Sequence, residues 1–404
     1  MEIYSNLAII TVFTFLYSIT SGGFDRTPFN GAIIFSLFGL AAGPLGLDIL
    51  HFSIEGEGVR MLPEITLALV LFSDAANADL DILKKNFRIP QRLLLLGLPL
   101  TIALGALFGR LLFPELGLFE IAVLATILAP TDAALGAAVV SDQRVPAPVR
   151  EGLNFESGLN DGICVPVLLT FLAVSAGSVG SDEPITLALR LVFEQIGIGL
   201  LVGTGVAFVG SYLFNLCVRM HLINGIWLQL PVIALSLSCF ALAPLCGGSS
   251  FIGAFCGGLL FGGLTKNHKK VYLAASEVAG GALSLLTWVI FGAAVISLTI
   301  SAFSWQNVLY ALLSLTVVRM LPVFISLKNT GLPNMEKLFI GWFGPRGLAT
   351  GVFAIIVASS DLPHRDTIVM TAICGIALSI IFHGVSANPL IALLVKKREK
   401  AGLK

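Results

Sequence analysis

The chain has 404 residues, of which 56% are hydrophobic and only 12% charged. A soluble domain carries roughly 25% charged and 45–50% apolar residues, so water cannot be the only solvent for this surface and lipid must cover much of it. The net charge is zero, and nothing resembles the basic footprint of a nucleic-acid binder.

The chain starts Met1-Glu2, acidic where a cleavable signal peptide needs a positive n-region, so no such peptide is expected. Apolar runs then predict an all-α polytopic membrane protein with about 13 spans. They fall at 6–20, 31–48, 61–78, 92–112, 119–140, 153–177, 187–217, 226–243, 248–264, 272–299, 305–326, 337–359 and 367–394. Two of the charge-free runs, 226–265 and 278–318, hold 40 and 41 residues, each long enough for two spans of about 20. The first divides near Pro244, Gly247 and Gly248, the second near Ser304, Gln306 and Asn307.

Loop charge sets the orientation. With the N-terminus outside, 18 basic residues fall in cytoplasmic segments: Arg26, Lys84, Lys85, Arg88, Arg92, Arg144, Arg150, Arg219, Lys266, Lys269, Lys270, Lys328, Lys337, Lys396, Lys397, Arg398, Lys400 and Lys404. Four fall outside, Arg60, Arg110, Arg190 and Arg365. The acidic loops at Glu55/Glu57 and Asp182/Glu183 are also outside. The expected placement is a cell inner membrane with the C-terminus cytoplasmic. No segment between spans exceeds about 15 residues, which leaves no room for a soluble nucleotide-binding or catalytic domain. The chain has no G-x-x-x-x-G-K-[ST] loop, so an ion gradient rather than ATP must drive any active transport. H-E-x-x-H and G-x-S-x-G are absent, which argues against an intramembrane enzyme. The six cysteines form no C-x-x-C pair and read as small buried hydrophobes, with no cofactor expected.

Ionisable residues at membrane depth are costly and mark function by default. Asp74, in Leu71-Phe72-Ser73-Asp74-Ala75-Ala76-Asn77, is a candidate for a central cavity. Asp132 follows Pro130 in Leu128-Ala129-Pro130-Thr131-Asp132. A proline there breaks the helix, and a broken helix at membrane depth is tolerated only inside protein or along an aqueous cavity; a plain proline kink is the alternative. Thr131 adds a hydroxyl and a carbonyl able to bind a cation. The next span carries Glu156-Ser157-Gly158-Leu159-Asn160-Asp161. At i,i+4 spacing, Glu156 and Asn160 share one face and Ser157 and Asp161 the neighbouring one. Oxygen ligands of this kind suit hard cations, although an interhelical hydrogen-bond network uses the same groups. Glu194 and Glu277 read as surface or interhelix acids. Gly341-Trp342-Phe343-Gly344-Pro345-Arg346-Gly347 is a second interrupted span, with a permanent cation. Arg346 needs a partner, for which Glu156 is the candidate, or it offsets dipoles at the break. Arg319 is a further cation within a span, and His383 reads as a packing residue. The two interrupted spans are the fifth and the twelfth. An odd offset reverses their direction, as in an inverted repeat whose broken helices cross at the midplane.

In these motifs the chain resembles the monovalent cation:proton antiporter-1 family, the NhaP-type and NHE-like sodium:proton antiporters. The resemblance rests on Ala129-Pro130-Thr131-Asp132, on Glu156-Ser157 with Asn160-Asp161, and on Gly344-Pro345-Arg346-Gly347, in this order. It implies a homodimer, with ion-translocating core helices in 92–177 and 305–394 and mainly dimerisation or scaffold helices in 1–78 and 187–299. It implies Asp161 as the carboxylate that carries ion and proton. Thr131, Asp132 and Ser157 would lie beside the monovalent cation, Asn160 would support the site, and Glu156 would pair with Arg346. An Asn-Asp pair, where electrogenic relatives carry two aspartates, implies electroneutral one-for-one exchange. The chain departs from many relatives at Ser73, where they carry an acid. The expected activity is exchange of Na⁺, or of Li⁺ or K⁺, for H⁺, by alternating access with competition at Asp161, serving pH homeostasis. A passive cation channel or another ion or solute transporter on the same fold is the alternative, and saturable counterflow separates them.

Overall fold

The computed structural model describes residues 2–24, 31–52, 57–78, 87–132, 135–140, 142–175, 184–265 and 269–400. Arg26, Glu55, Lys84, Lys85, Asp182, Glu183, Lys266 and Lys404 lie outside the described residues. Among those described there are helices and no strand, as expected where a lipid-facing backbone must satisfy its own hydrogen bonds.

The helices run in order α1 (Glu2–Phe24), α2 (Gly31–Ala42), α3 (Glu57–Asn77), α4 (Arg88–Leu112), α5 (Leu118–Ile127), α6 (Ala137–Val140), α7 (Ala147–Ser175), α8 (Pro184–Arg219), α9 (Gly225–Leu245), α10 (Ser250–Leu264), α11 (Lys269–Ile296), α12 (Trp305–Ser326), α13 (Asn334–Trp342), α14 (Leu348–Ala358) and α15 (Arg365–Lys400). Among the described residues, eight helical stretches are long and apolar enough to cross a bilayer, and α2, α5, α10 and α14 are shorter apolar helices. The fifth expected span is the broken pair α5 and α6, and the twelfth is the broken pair α13 and α14. Each break contains a proline, Pro130 or Pro345, which supplies no amide to continue the ladder.

The helices pack in two sets. Helices α2, α3, α8, α9, α10 and α11 pack on one another, and α4, α5, α7, α12, α13, α14 and α15 form the other set. Between lipid-embedded helices, close backbone approach replaces the hydrophobic drive available in water. At Gly258 of α10 the approach is so close that an added Cβ would overlap the Phe72 carbonyl of α3. The second set has its own apolar cluster near the breaks, including Leu93, Val149, Leu153, Val323, Phe339, Phe343 and Ile391. The sets meet where α7 touches α3, α8 and α10, and where α14 touches α3 and α11. The site lies along this seam.

Candidate functional site

The two breaks meet backbone to backbone. The Asp132 amide donates to the Pro345 carbonyl at 2.7 Å. Each break also supplies a charge to the other's half-helix. Asp132 Oδ2 accepts the Leu348 amide at 2.7 Å, at the first residue of α14, while Oδ1 accepts the Leu135 amide at 3.1 Å. Arg346 Nη1 donates to the carbonyls of Ala129 at 2.5 Å and Pro130 at 2.9 Å, just past the end of α5. Helix ends leave amides and carbonyls unpaired, and the aligned dipoles favour an anion at the N-terminus and a cation at the C-terminus. The crossing meets both demands, at about 0.3–2 kcal/mol per charge. The glycines permit the approach: a Cβ at Gly347 would collide with the Asp132 carboxylate, and one at Gly344 would lie 2.6 Å from Arg319 Nε.

The expected Glu156–Arg346 pair does not form. Glu156 is held instead by Arg319 of α12 in a bidentate pair, Nη1 to Oε1 at 2.5 Å and Nη2 to Oε2 at 2.6 Å. Both side chains are 2% exposed. The physical reason lies in the acceptors each arginine meets. Arg346 projects from a break and finds carbonyls freed by another break, adding the Ser314 carbonyl at 3.2 Å. Arg319 sits within a helix and is left with a carboxylate as its counter-charge. The alternative role for Arg346, at the dipoles of the break, is the one its contacts match.

Helix α7 aligns the remaining groups. Ser157 Oγ donates to the Thr131 carbonyl. Asn160 Nδ2 donates to Thr131 Oγ1 at 2.8 Å, and its Oδ1 accepts the Thr131 amide at 3.3 Å. Asn160 therefore braces the break at Thr131. The next residue, Asp161, is 7% exposed, and its Oδ1 is buried without a hydrogen-bond partner among the described residues.

Asp161 lines a cavity of about 480 Å³ with Asp132, Ser157, Asp74, Glu277 and Trp288 among its walls. The described wall has four carboxylates and no Lys, Arg or His. Ser73 of α3 and Ser276 of α11 join hydroxyls in its wall at 2.9 Å. The cavity spreads toward the end of the molecule where α1 and α3 finish and α2 and α11 begin, past Tyr17, Gly31, Asp74 and Glu277. Asp74 thus faces the cavity. Glu277 makes the interhelix bond expected of it, accepting from Asn77 Nδ2 at 2.5 Å, and also lines the cavity. Glu194 is exposed on α8. Sequence reasoning missed the pairing of Arg319 and the polar wall at Ser73 and Ser276. Arg319 had a signal, since two buried arginines competed for Glu156. Single serines in apolar helices carried none.

A family model described as "Sodium/hydrogen exchanger, transmembrane" matches residues 10–393. An Na⁺/H⁺ antiporter of Schizosaccharomyces pombe is 25% identical over 348 residues, covering 80% of this chain and 73% of that protein. The K⁺/H⁺ antiporter NhaP of Alkalimonas amylolytica is 23% identical over 361 residues, covering 88% of this chain and 61% of that protein. The structure of the sodium proton antiporter MjNhaP1 from Methanocaldococcus jannaschii at pH 8 superposes with a TM-score of 0.82 at 19% identity, over 98% of this chain and all of that one.

Proposed function

Because the chain belongs to the sodium/hydrogen exchanger family, we propose that it is a secondary antiporter in which a monovalent cation and a proton compete for Asp161. The observation that carries this reading is the unpartnered, buried carboxylate oxygen of Asp161 at the wall of an acidic cavity. A carboxylate charge at membrane depth without a donor is costly. A bound proton or a bound cation relieves that cost, and binding one displaces the other. The hydroxyl of Ser157, the groups of Thr131 and the Asp132 carboxylate are the oxygen donors that complete a hard-cation site. Na⁺, K⁺ and Li⁺ all suit such donors, and the named relatives include both Na⁺/H⁺ and K⁺/H⁺ antiporters.

Of the two cavity carboxylates nearest the crossing, Asp132 is engaged by two backbone amides and Asp161 Oδ1 is not. One carboxylate without a donor beside the crossing supports one-for-one, electroneutral exchange. The set around the breaks (92–177 and 305–394) acts as the ion-carrying core, and 1–78 with 187–299 as the scaffold of a homodimer. Loop charge supports an inner membrane with the N-terminus outside. In that orientation the cavity faces the cytoplasm. Exchange by alternating access follows when the core, neutralised by either ion, shifts against the scaffold.

Competition makes a kinetic prediction. In proteoliposomes, the apparent KM for the cation should rise in proportion to proton concentration below the pH optimum, with Vmax unchanged. A KM independent of pH, with only Vmax falling, contradicts a shared site.

A further inference from the structure

His383 of α15 is one of the few histidines of the chain and has no part in the ion site described above. Its ring is 4% exposed and faces the second break. We propose that His383 is a positioning residue for ion exchange, which locks the unwound segment 343–347 onto α15 through its Nε2–H and the Trp342 carbonyl. This rests on the antiporter reading above.

The geometry of that segment is specific. Trp342 is the last residue of α13, and Phe343 has φ −80° and ψ 63°, an inverse γ-turn. Within it the Gly344 amide donates to the Trp342 carbonyl at 2.8 Å. The same carbonyl lies 2.7 Å from His383 Nε2. A carbonyl only accepts, so the bond to Trp342 belongs to the Nε2–H tautomer, in which Nδ1 accepts from the Ser379 hydroxyl. The other nitrogen, Nδ1, faces Ser379 alone, its carbonyl at 2.8 Å and its hydroxyl at 3.2 Å.

Ser379, His383 and Ser386 fall at i, i+4 and i+7, on one face of α15. All three grip the break. Ser379 Oγ accepts the Arg346 amide at 2.6 Å, and Ser386 Oγ accepts from Trp342 Nε1 at 2.8 Å. The ring of His383 also packs on Trp342 and Phe343, with centroids 5.5 and 6.1 Å away. The clamp therefore holds both ends of the unwound segment. Between its ends lies Pro345, whose carbonyl takes the Asp132 amide, and at one end is Arg346, whose guanidinium holds Ala129 and Pro130. A shift of the segment moves Asp132 and Thr131, and with them the oxygens around Asp161. His383 acts through that segment, with no contact of its own to the ion.

Three variants test this, because a glutamine amide reaches the place of Nε2 and an asparagine amide only that of Nδ1. In proteoliposomes, His383→Gln should keep the apparent KM for Na⁺ near that of the unaltered protein. His383→Asn and His383→Leu should raise it about five-fold, the equivalent of one lost hydrogen bond, with Vmax reduced as well. Thermal melting in detergent reports folding separately, and if His383→Leu does not fold the Gln and Asn variants carry the comparison. Equal KM values for Gln and Asn, or an unaltered KM in Leu, overturn the proposal. An inactive unaltered protein contradicts the antiporter reading itself, whereas an active one with no Gln–Asn difference overturns only the role of His383.

Discussion

Arg319 and Arg346 carry the same charge, and both are essentially fully buried, yet they do different work. Arg319 neutralises Glu156 through two hydrogen bonds, and Arg346 caps carbonyls. Removing one partner of a buried pair leaves an uncompensated charge and costs about 3–5 kcal/mol, whereas replacing both by apolar groups of similar size is close to neutral. Arg319→Ala should therefore lower the melting temperature in detergent sharply, and Glu156→Leu with Arg319→Leu should recover most of the loss. An Arg319→Ala protein that melts with the unaltered one contradicts the pairing. At this scale the motifs at 129–132, 156–161 and 344–347 were readable, because broken helices and buried acids are rare in apolar spans. The choice between two arginines was not. It depends on which one reaches freed carbonyls, and that is decided by the crossing of segments more than 150 residues apart.

The broken helices form one element together. Asp132 from the first break caps α14, and Arg346 from the second caps the carbonyl end of α5. Neither half-helix end is satisfied without the other. Gly347 is the tightest point, since a Cβ there would occupy the space of the Asp132 carboxylate. Gly347→Ala should push that carboxylate off the Leu348 amide, costing about 1–3 kcal/mol as a buried group loses its partner. Exchange should fall about ten-fold or more, as 1.4 kcal/mol already corresponds to a factor of ten in a rate. Proton flux in reconstituted vesicles checks this, and unaltered flux contradicts the close contact. Proline and glycine placed both interruptions in the sequence, and the odd offset of the spans gave their opposed directions. The clamp from α15 was not legible there. Ser379, His383 and Ser386 are ordinary residues of a long apolar helix until the unwound segment lies against them.

Across the whole molecule, two sets of helices meet along the seam that holds Asp161. Composition alone placed the chain in a membrane, because 12% charge cannot clothe a soluble surface of this size. The cavity was less readable, as its wall is assembled from α1, α2, α3, α7, α11 and α14, helices far apart in the chain. On the proposed account Asp161 crosses as a neutral complex with either ion and carries no net charge across the bilayer. The exchange rate should then be unchanged by an imposed potential of about 100 mV, which would otherwise do roughly 2.3 kcal/mol of work on each elementary charge moved. A rate that follows the potential contradicts the single-carboxylate account. The central claim is that Asp161 is the shared seat of cation and proton, and cation-driven proton flux in proteoliposomes of the Asp161→Asn protein tests it most directly. The account predicts a correctly folded variant with no exchange for Na⁺, K⁺ or Li⁺, and undiminished flux in that variant would contradict it.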